Sequence, residues 1–283
     1  MRKLASMLMM LVAASVLAAQ NQLSSPAAES RSLLEQAASD KNPDVRRQAA
    51  QAMSLLNATN PLLSELGAMV SDRDVSVRVA AVSALGDFKS RRNIPLLRQA
   101  LSDPVPEVGI SAAKALYDLH QPEGQEYLLA VVSGQTKAAS SYITSQARST
   151  VRLLHTPTKL FTTAAIGAAG MAVPLPGFAF GLASVEGILS DPGASARAAA
   201  LLLLGNSRDP AVAEAVRSAL LDKEWSVRAA AVHVTAMHPY PQFREDLVPL
   251  LADKKDAVRL RAAAAYLRLR SIEIRRRGRR RRS

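Results

Sequence analysis

Cysteine is absent from the 283 residues. That absence removes disulfides, thiolate nucleophiles, Cys-built metal sites and any lipid-bearing N-terminal Cys. A chain of this length can bury enough apolar surface to fold without disulfides, so the lack of Cys is compatible with export. Aromatic residues make up only 4% of the chain, with a single Trp, and the 48% hydrophobic content is carried mainly by Ala, Leu and Val. Small apolar side chains bury little area each but let helices approach closely, which favours stacked helices over a sheet sandwich. There is no nucleophile elbow, phosphate loop or dinucleotide fingerprint. The formal net charge is +12 and unevenly spread. Seven of the positive charges are the run Arg275, Arg276, Arg277, Arg279, Arg280, Arg281 and Arg282, and two more are Arg2 and Lys3. The body between them is only mildly basic, so the high pI reports the two ends and not a basic face.

Residues 1–19 read as a cleavable signal peptide. Arg2 and Lys3 precede an apolar stretch from Leu4 to Leu17, and small residues follow near Ala18 and Ala19. The stretch is short for a membrane span. The implied address is exported, periplasmic or extracellular, in a bacterium.

What is present is a repeat. Asp followed six residues later by Arg, usually in a Val-Arg pair, occurs at Asp40/Arg46, Asp72/Arg78, Asp191/Arg197, Asp222/Arg228 and Asp253/Arg259. Asp103 keeps the spacing but has Gly109 where Arg would stand. Successive Asp residues lie 32, 31, 88, 31 and 31 positions apart, and the long gap is close to three periods. Each block opens a helix. Val77, Ala81, Ala84, Leu85 and Phe88 fall on one stripe, and the same offsets give Val45, Ala49, Ala52, Met53 and Leu56. The stripe returns as Val108 to Leu119 and as Val258 to Leu269. Its period is helical, small in the middle and bulky at the end. A second helix is expected before each block, for example at Pro61–Leu66, Ile94–Leu97 and Leu247–Leu251, where Pro249 should bend the segment. Pairs this short must stack to bury their apolar faces.

This pattern resembles HEAT repeats, most closely the short HEAT-like units known from phycobilisome lyases, over Ser30 to Arg270 apart from the middle. The resemblance implies an all-α fold, an alpha-alpha superhelix or HEAT-like solenoid spanning 26–270, built as a single curved stack of about seven helix pairs. It also implies that Asp40, Arg46, Asp72, Arg78, Asp103, Asp191, Arg197, Asp222, Arg228, Asp253 and Arg259 form hydrogen-bonded ladders between repeats, broken at Gly109. The chemistry agrees, because a turn Asp accepts helix N–H groups and Arg donates in a fork. A HEAT-like deoxyhypusine hydroxylase is similar in architecture and binds iron through His-Glu pairs, but no His-Glu dipeptide occurs here. Sharing a repeat type with lyases does not transfer their reaction. The expectation is a non-enzyme without cofactor or metal, with a HEAT-like lyase-type enzyme or subunit as a distant alternative. His233 and His238 lie five residues apart, a spacing that points them away from each other on one helix, and His238 takes the stripe position of Phe88.

Two segments remain open. Leu160 to Val185 carries no charge and holds Phe161, Ile166, Met171, Phe178 and Phe180 around a Pro-Leu-Pro-Gly turn. It reads as a buried irregular repeat (about 156–189), a hydrophobic binding surface, or a membrane-dipping hairpin. Residues 271–283 read as a disordered Arg-rich tail, either solvated or adhering to an anionic membrane surface. The export signal argues against nucleic acid, and no aromatic residue interleaves the run for base stacking. The function expected is a non-catalytic protein–protein interaction scaffold of the bacterial envelope. The alternative is a peripheral membrane protein using 160–185 and the Arg tail.

Overall fold

The computed structural model describes residues 25–133 and 192–280, apart from 206, 208 and 239. Among the described residues there are eleven α-helices and no strand. They are α1 (Pro26–Ala38), α2 (Pro43–Met53), α3 (Leu63–Ala68), α4 (Val75–Asp87), α5 (Ile94–Leu101), α6 (Pro106–Asp118), α7 (Pro122–Val132), α8 (Pro192–Leu204), α9 (Pro210–Ala219), α10 (Trp225–Met237) and α11 (Asp256–Arg280).

Local chemistry sets the starts. Pro occupies the first turn of α1, α2 and α9, and side chains of Ser25, Asn42 and Asp209 accept an exposed backbone N–H there. Asp74 caps α4 through the N–H groups of Ser76 and Val77. A proline has no N–H to waste at that position and its φ is already helical. The segment before α11 departs from its expected helix. Glu245–Leu247 and Pro249–Ala252 form two 3₁₀ turns. Pro249 cannot donate into a preceding α-turn, so it opens a new tighter turn instead of bending a helix.

The repeated stripe builds an inner layer. Ala49, Ala52 and Met53 of α2, Val77, Ala81 and Leu85 of α4, and Val108, Ala112 and Leu116 of α6 are buried. α2 packs on α4, and α4 on α6. Their approach is close: a Cβ at Gly86 of α4 would stand 2.7 Å from the Ala115 Cβ of α6. In the second half α8 packs on α10, and α10 on α11.

The two halves then meet through the last helix. α11 lies against α10 on one flank and against α1 and α2 on the other. The inner layer therefore runs α6–α4–α2–α11–α10–α8, and the final repeat continues into the first. The expected form is a single curved stack of helix pairs, and the described residues add to it a contact between the last repeat and the first. The reason lies in α11 itself. Leu260, Ala262, Ala263, Ala264, Ala265, Leu267 and Leu269 are all buried. A single helical stripe covers one flank; between Val258 and Leu269 the buried residues of this helix fall on several sides, so it needs neighbours on both flanks.

Residues 271–280 are also not a tail. α11 continues through them to Arg280. Arg is a good helix former and is favoured near a helix C-terminus by the dipole. The end is tied down as well: Asn57 donates to Ser271, and Arg275 Nη2 donates to Thr59 Oγ1 at 2.8 Å. Residues 281–283, residues 1–24 and residues 134–191 lie outside the described residues.

Candidate functional site

The Asp–Arg positions assemble into a ladder along one edge of the stack. Arg46 donates Nε to Asp72 Oδ2 (2.7 Å) and Nη2 to Asp72 Oδ1 (2.8 Å), while its Nη1 reaches the Asp40 carbonyl (2.8 Å). Arg78 grips Asp103 at 2.8 and 3.0 Å and the Asp72 carbonyl at 2.9 Å. Arg228 grips Asp253 at 2.7 and 3.0 Å and the Asp222 carbonyl at 2.8 Å. The six-residue pair thus meets at the Asp carbonyl, and the carboxylate goes to the Arg of the preceding repeat. Each carboxylate also accepts the N–H two residues on, from Asn42, Asp74, Val105, Glu224 and Lys255. A bidentate fork on a carboxylate already fixed by its turn holds neighbouring repeats in register.

Electrostatics follow the geometry. The hydrogen bond from Arg46 holds the Asp72 carboxyl below the usual carboxylate range, against the opposing effect of burial. The same bond raises Arg46. Arg46 and Asp72 side chains are 6% and 12% exposed, whereas Arg197 is 49% exposed and reaches Asp222 by one contact of 3.4 Å.

The ladder ends in two places. At Gly109 the arginine is missing and Tyr127 of α7 fills the space, its hydroxyl 2.3 Å from where a Cβ would be. At α11, Arg259 folds back onto Asp256 and the Asp253 carbonyl. Asp40 is exposed and takes no arginine fork, so the joint between last and first repeats lacks a rung. Arg268 serves that joint instead, donating Nη1 to the carbonyls of Leu55 (3.0 Å) and Leu56 (3.2 Å) at the end of α2. Asp191 lies outside the described residues.

A cavity of about 530 Å³ opens where the C-terminal ends of the inner helices converge. Leu55 and Leu56 beyond α2, Phe88 and Lys89 beyond α4, Lys114 and Asp118 of α6, Leu202 of α8, His233 and His238 on α10, and Arg268 of α11 all line it. His233 and His238 thus share one space, contrary to their spacing on an ideal helix. His238 ends α10 with φ −110° and ψ 81°, which takes it off the helical wheel. Four groups there are perturbed by crowding, His238 among them, which burial lowers. Burial lowers His233 to about 3, with Arg261 adding to the effect. Burial raises Asp87 to about 6, although the cavity leaves it reachable by water. Burial also lowers Arg268, whose Nε is enclosed without a hydrogen-bond partner. Perturbed groups gathered in one concavity mark a binding site more often than a random surface does.

Sequence reasoning missed this cavity. A signal existed, since Arg268 stands between Leu267 and Leu269, both buried. Phe161, Ile166, Met171, Phe178 and Phe180 lie outside the described residues, as do Arg281 and Arg282. Arg275, Arg276 and Arg277 are exposed on the last turns of α11, and Arg277 pairs with Glu273. No group of three His, Asp or Glu that could hold a metal occurs among the described residues. No described helix is long and apolar enough to cross a membrane.

The family model for HEAT repeats matches residues 59–140 and 183–268. Among curated proteins, none matches the chain.

Proposed function

Since the chain belongs to the HEAT-repeat family, we propose that it is a non-catalytic scaffold that holds a protein partner outside the bacterial cytoplasm. HEAT repeats commonly serve protein interaction. The observation that carries the reading is the division of labour among polar groups. The ladder side chains are spent on register, while the cavity ringed by α2, α4, α6, α8, α10 and α11 gathers charged and apolar side chains in one concavity. Export rests on residues 1–19, whose charged start and apolar run suit a signal peptide.

A photo-crosslinking residue placed at Lys89, on the cavity rim, should capture one defined partner in the envelope fraction. The same residue at Glu29, on the outer surface of α1, should not. Recovery of the chain in the cytosol removes the envelope address, and equal capture from both positions removes the concave site.

A second reading has one observation of its own. The arginines from Arg275 to Arg280 are carried on a helix docked to the stack, so their charge is presented in a fixed place. Together with residues 160–185 it would adhere to an anionic membrane. Flotation with anionic vesicles that weakens with salt, and is lost on replacing Arg275, Arg276 and Arg277 by Ser, would favour it.

A further inference from the structure

The ladder arginines and Arg268 use the same hand. In Arg46, Arg78 and Arg228 the Nη1 group is fixed on backbone carbonyls, and the other side of the guanidinium takes a carboxylate. In Arg268 the Nη1 group is likewise fixed, on the carbonyls of Leu55 and Leu56. Its Nε is enclosed and unpartnered, and among the described residues no acidic side chain pairs with it. The head lines the cavity, and beside it are apolar walls. The charged lining is Lys89, Lys114 and Arg268 against Asp87 and Asp118, and Lys114 is held by Asp118 at 2.8 Å. That balance suits a single negative charge and not a phosphate dianion.

We propose that the cavity binds a carboxylate carried on an apolar group, with Arg268 as the anion anchor and Leu55, Leu56, Leu202, Val234 and Met237 around the apolar part. A carboxylate would meet the Arg268 guanidinium by a charge-assisted hydrogen bond, the chemistry the ladder uses in the same protein, although the enclosed Nε keeps it from the full two-nitrogen fork. An apolar ligand end displaces water from Leu202 and Met237, lining side chains that are partly exposed. The proposal stands apart from the scaffold reading: a free fatty acid and the C-terminus of an apolar polypeptide share the chemistry it names.

Asp87 gives the site a pH response. It faces Lys89 from its own turn, and Lys114 and Asp118 from α6. An incoming carboxylate adds a like charge, so it binds best when Asp87 is protonated. Between pH 7.5 and 6, above the range in which the ligand carboxylate itself protonates, binding therefore strengthens as pH falls.

The test is calorimetric titration of the full chain with octanoate, octylamine and octanol. Two further probes are the tripeptide acetyl-Ala-Leu-Leu with a free C-terminus and the same tripeptide as its amide. Octanoate is expected to bind about tenfold or more tighter than the amine or the alcohol. The free tripeptide binding above its amide would assign the polypeptide source, and octanoate alone binding would assign the free acid. Arg268→Gln should lose octanoate binding by about tenfold or more. Asp87→Asn should tighten binding at pH 7.5 and flatten its pH dependence, an outcome that does not require the Arg268 variant to fold. Equal binding of octanoate and octanol, or an Asp87→Asn variant with the wild-type pH profile, overturns the proposal.

Discussion

Arg268 of α11 donates to the carbonyl oxygens of Leu55 and Leu56, residues more than two hundred positions earlier in the chain. The last repeat is thereby fastened to the end of the first inner helix. Leu55 and Leu56 lie in the turn just past α2, where backbone carbonyls have no helical partner, and this arginine supplies donors to both from another repeat. The contact makes α11 a shared wall of both halves, which changes what a mutation in it should do.

Leu260 is 2% exposed on α11. Leu260→Ala should cost about 2–5 kcal/mol, the usual range for a large-to-small change in a packed core. Because α11 touches α1, α2 and α10, the loss should speed amide hydrogen exchange in α1 and in α10 alike. Exchange accelerated only in α10 would mean that the two ends are not energetically joined.

The ladder rungs should differ in worth. Asp72→Ala leaves the Arg46 guanidinium 5% exposed without its carboxylate and removes a turn acceptor. A buried charge stranded this way costs about 3–5 kcal/mol. Arg197→Ala removes a pair that is half in water, where such pairs contribute ~0–1 kcal/mol. Urea midpoints of the two variants measure the difference directly, and equal losses would refute the ordering.

The same rung sets an acid limit. Asp72 has its folded-state carboxyl held below the unfolded value by the Arg46 hydrogen bond. A group depressed on folding contributes stability that is complete above the unfolded carboxylate value of about 4 and fades as pH falls through the folded one. The stability gap between the wild type and Asp72→Asn should therefore be constant from pH 7 to 5 and shrink below pH 4. A gap that grows on acidification would show the wrong sign.

What the sequence disclosed is what recurs. Asp at fixed spacing with Arg six residues on specified the rungs, because each repeat must solve the same register problem with the same turn. Closure does not recur and left no such mark. Its nearest trace is the unbroken Ala262–Ala265 run, buried throughout, where α4 has a partly exposed Ser83 at the equivalent of Ala264, outside its stripe. Helical offsets misplaced His238 because the wheel holds only inside a helix, and that residue has left it. Pro249 was seen, but whether a proline bends an α-turn or starts a 3₁₀ turn depends on packing that spacing does not encode.

Two glycines predict opposite outcomes from one substitution. Gly86→Ala would set a methyl 2.7 Å from the Ala115 Cβ, a fixed atom on a neighbouring inner helix. Overpacking of that kind costs about 1–3 kcal/mol. At Gly278 a Cβ meets nothing within 4 Å. Gly278→Ala should add about 0.5–1 kcal/mol of helix stability to the end of α11. Thermal melts with far-ultraviolet circular dichroism separate the two. A destabilising Gly278→Ala would mean that the arginine-rich end is not helical in solution.

Arg261 is the least expected side chain in the core. It is 2% exposed, donates Nη1 to the Ala257 carbonyl at 2.8 Å, and keeps Nη2 buried without a partner. Burial lowers it to about 10, and the nearby Arg47 adds repulsion. Among the described residues nothing acidic answers its charge, and its desolvation is offset by one carbonyl and by the packing of its stem. An unbranched apolar residue of similar length keeps that packing and removes both the charge and the orphan donor. Arg261→Met should therefore be neutral or stabilising by about 1–4 kcal/mol, as replacements of poorly compensated buried ions often are. His233 gives an independent readout, because Arg261 is one cause of its depressed value. Its imidazole, followed by NMR, should titrate at a higher pH in the variant. Loss of stability on Arg261→Met, with His233 unmoved, would mean that the guanidinium is compensated by a group that its surroundings in the fold do not reveal.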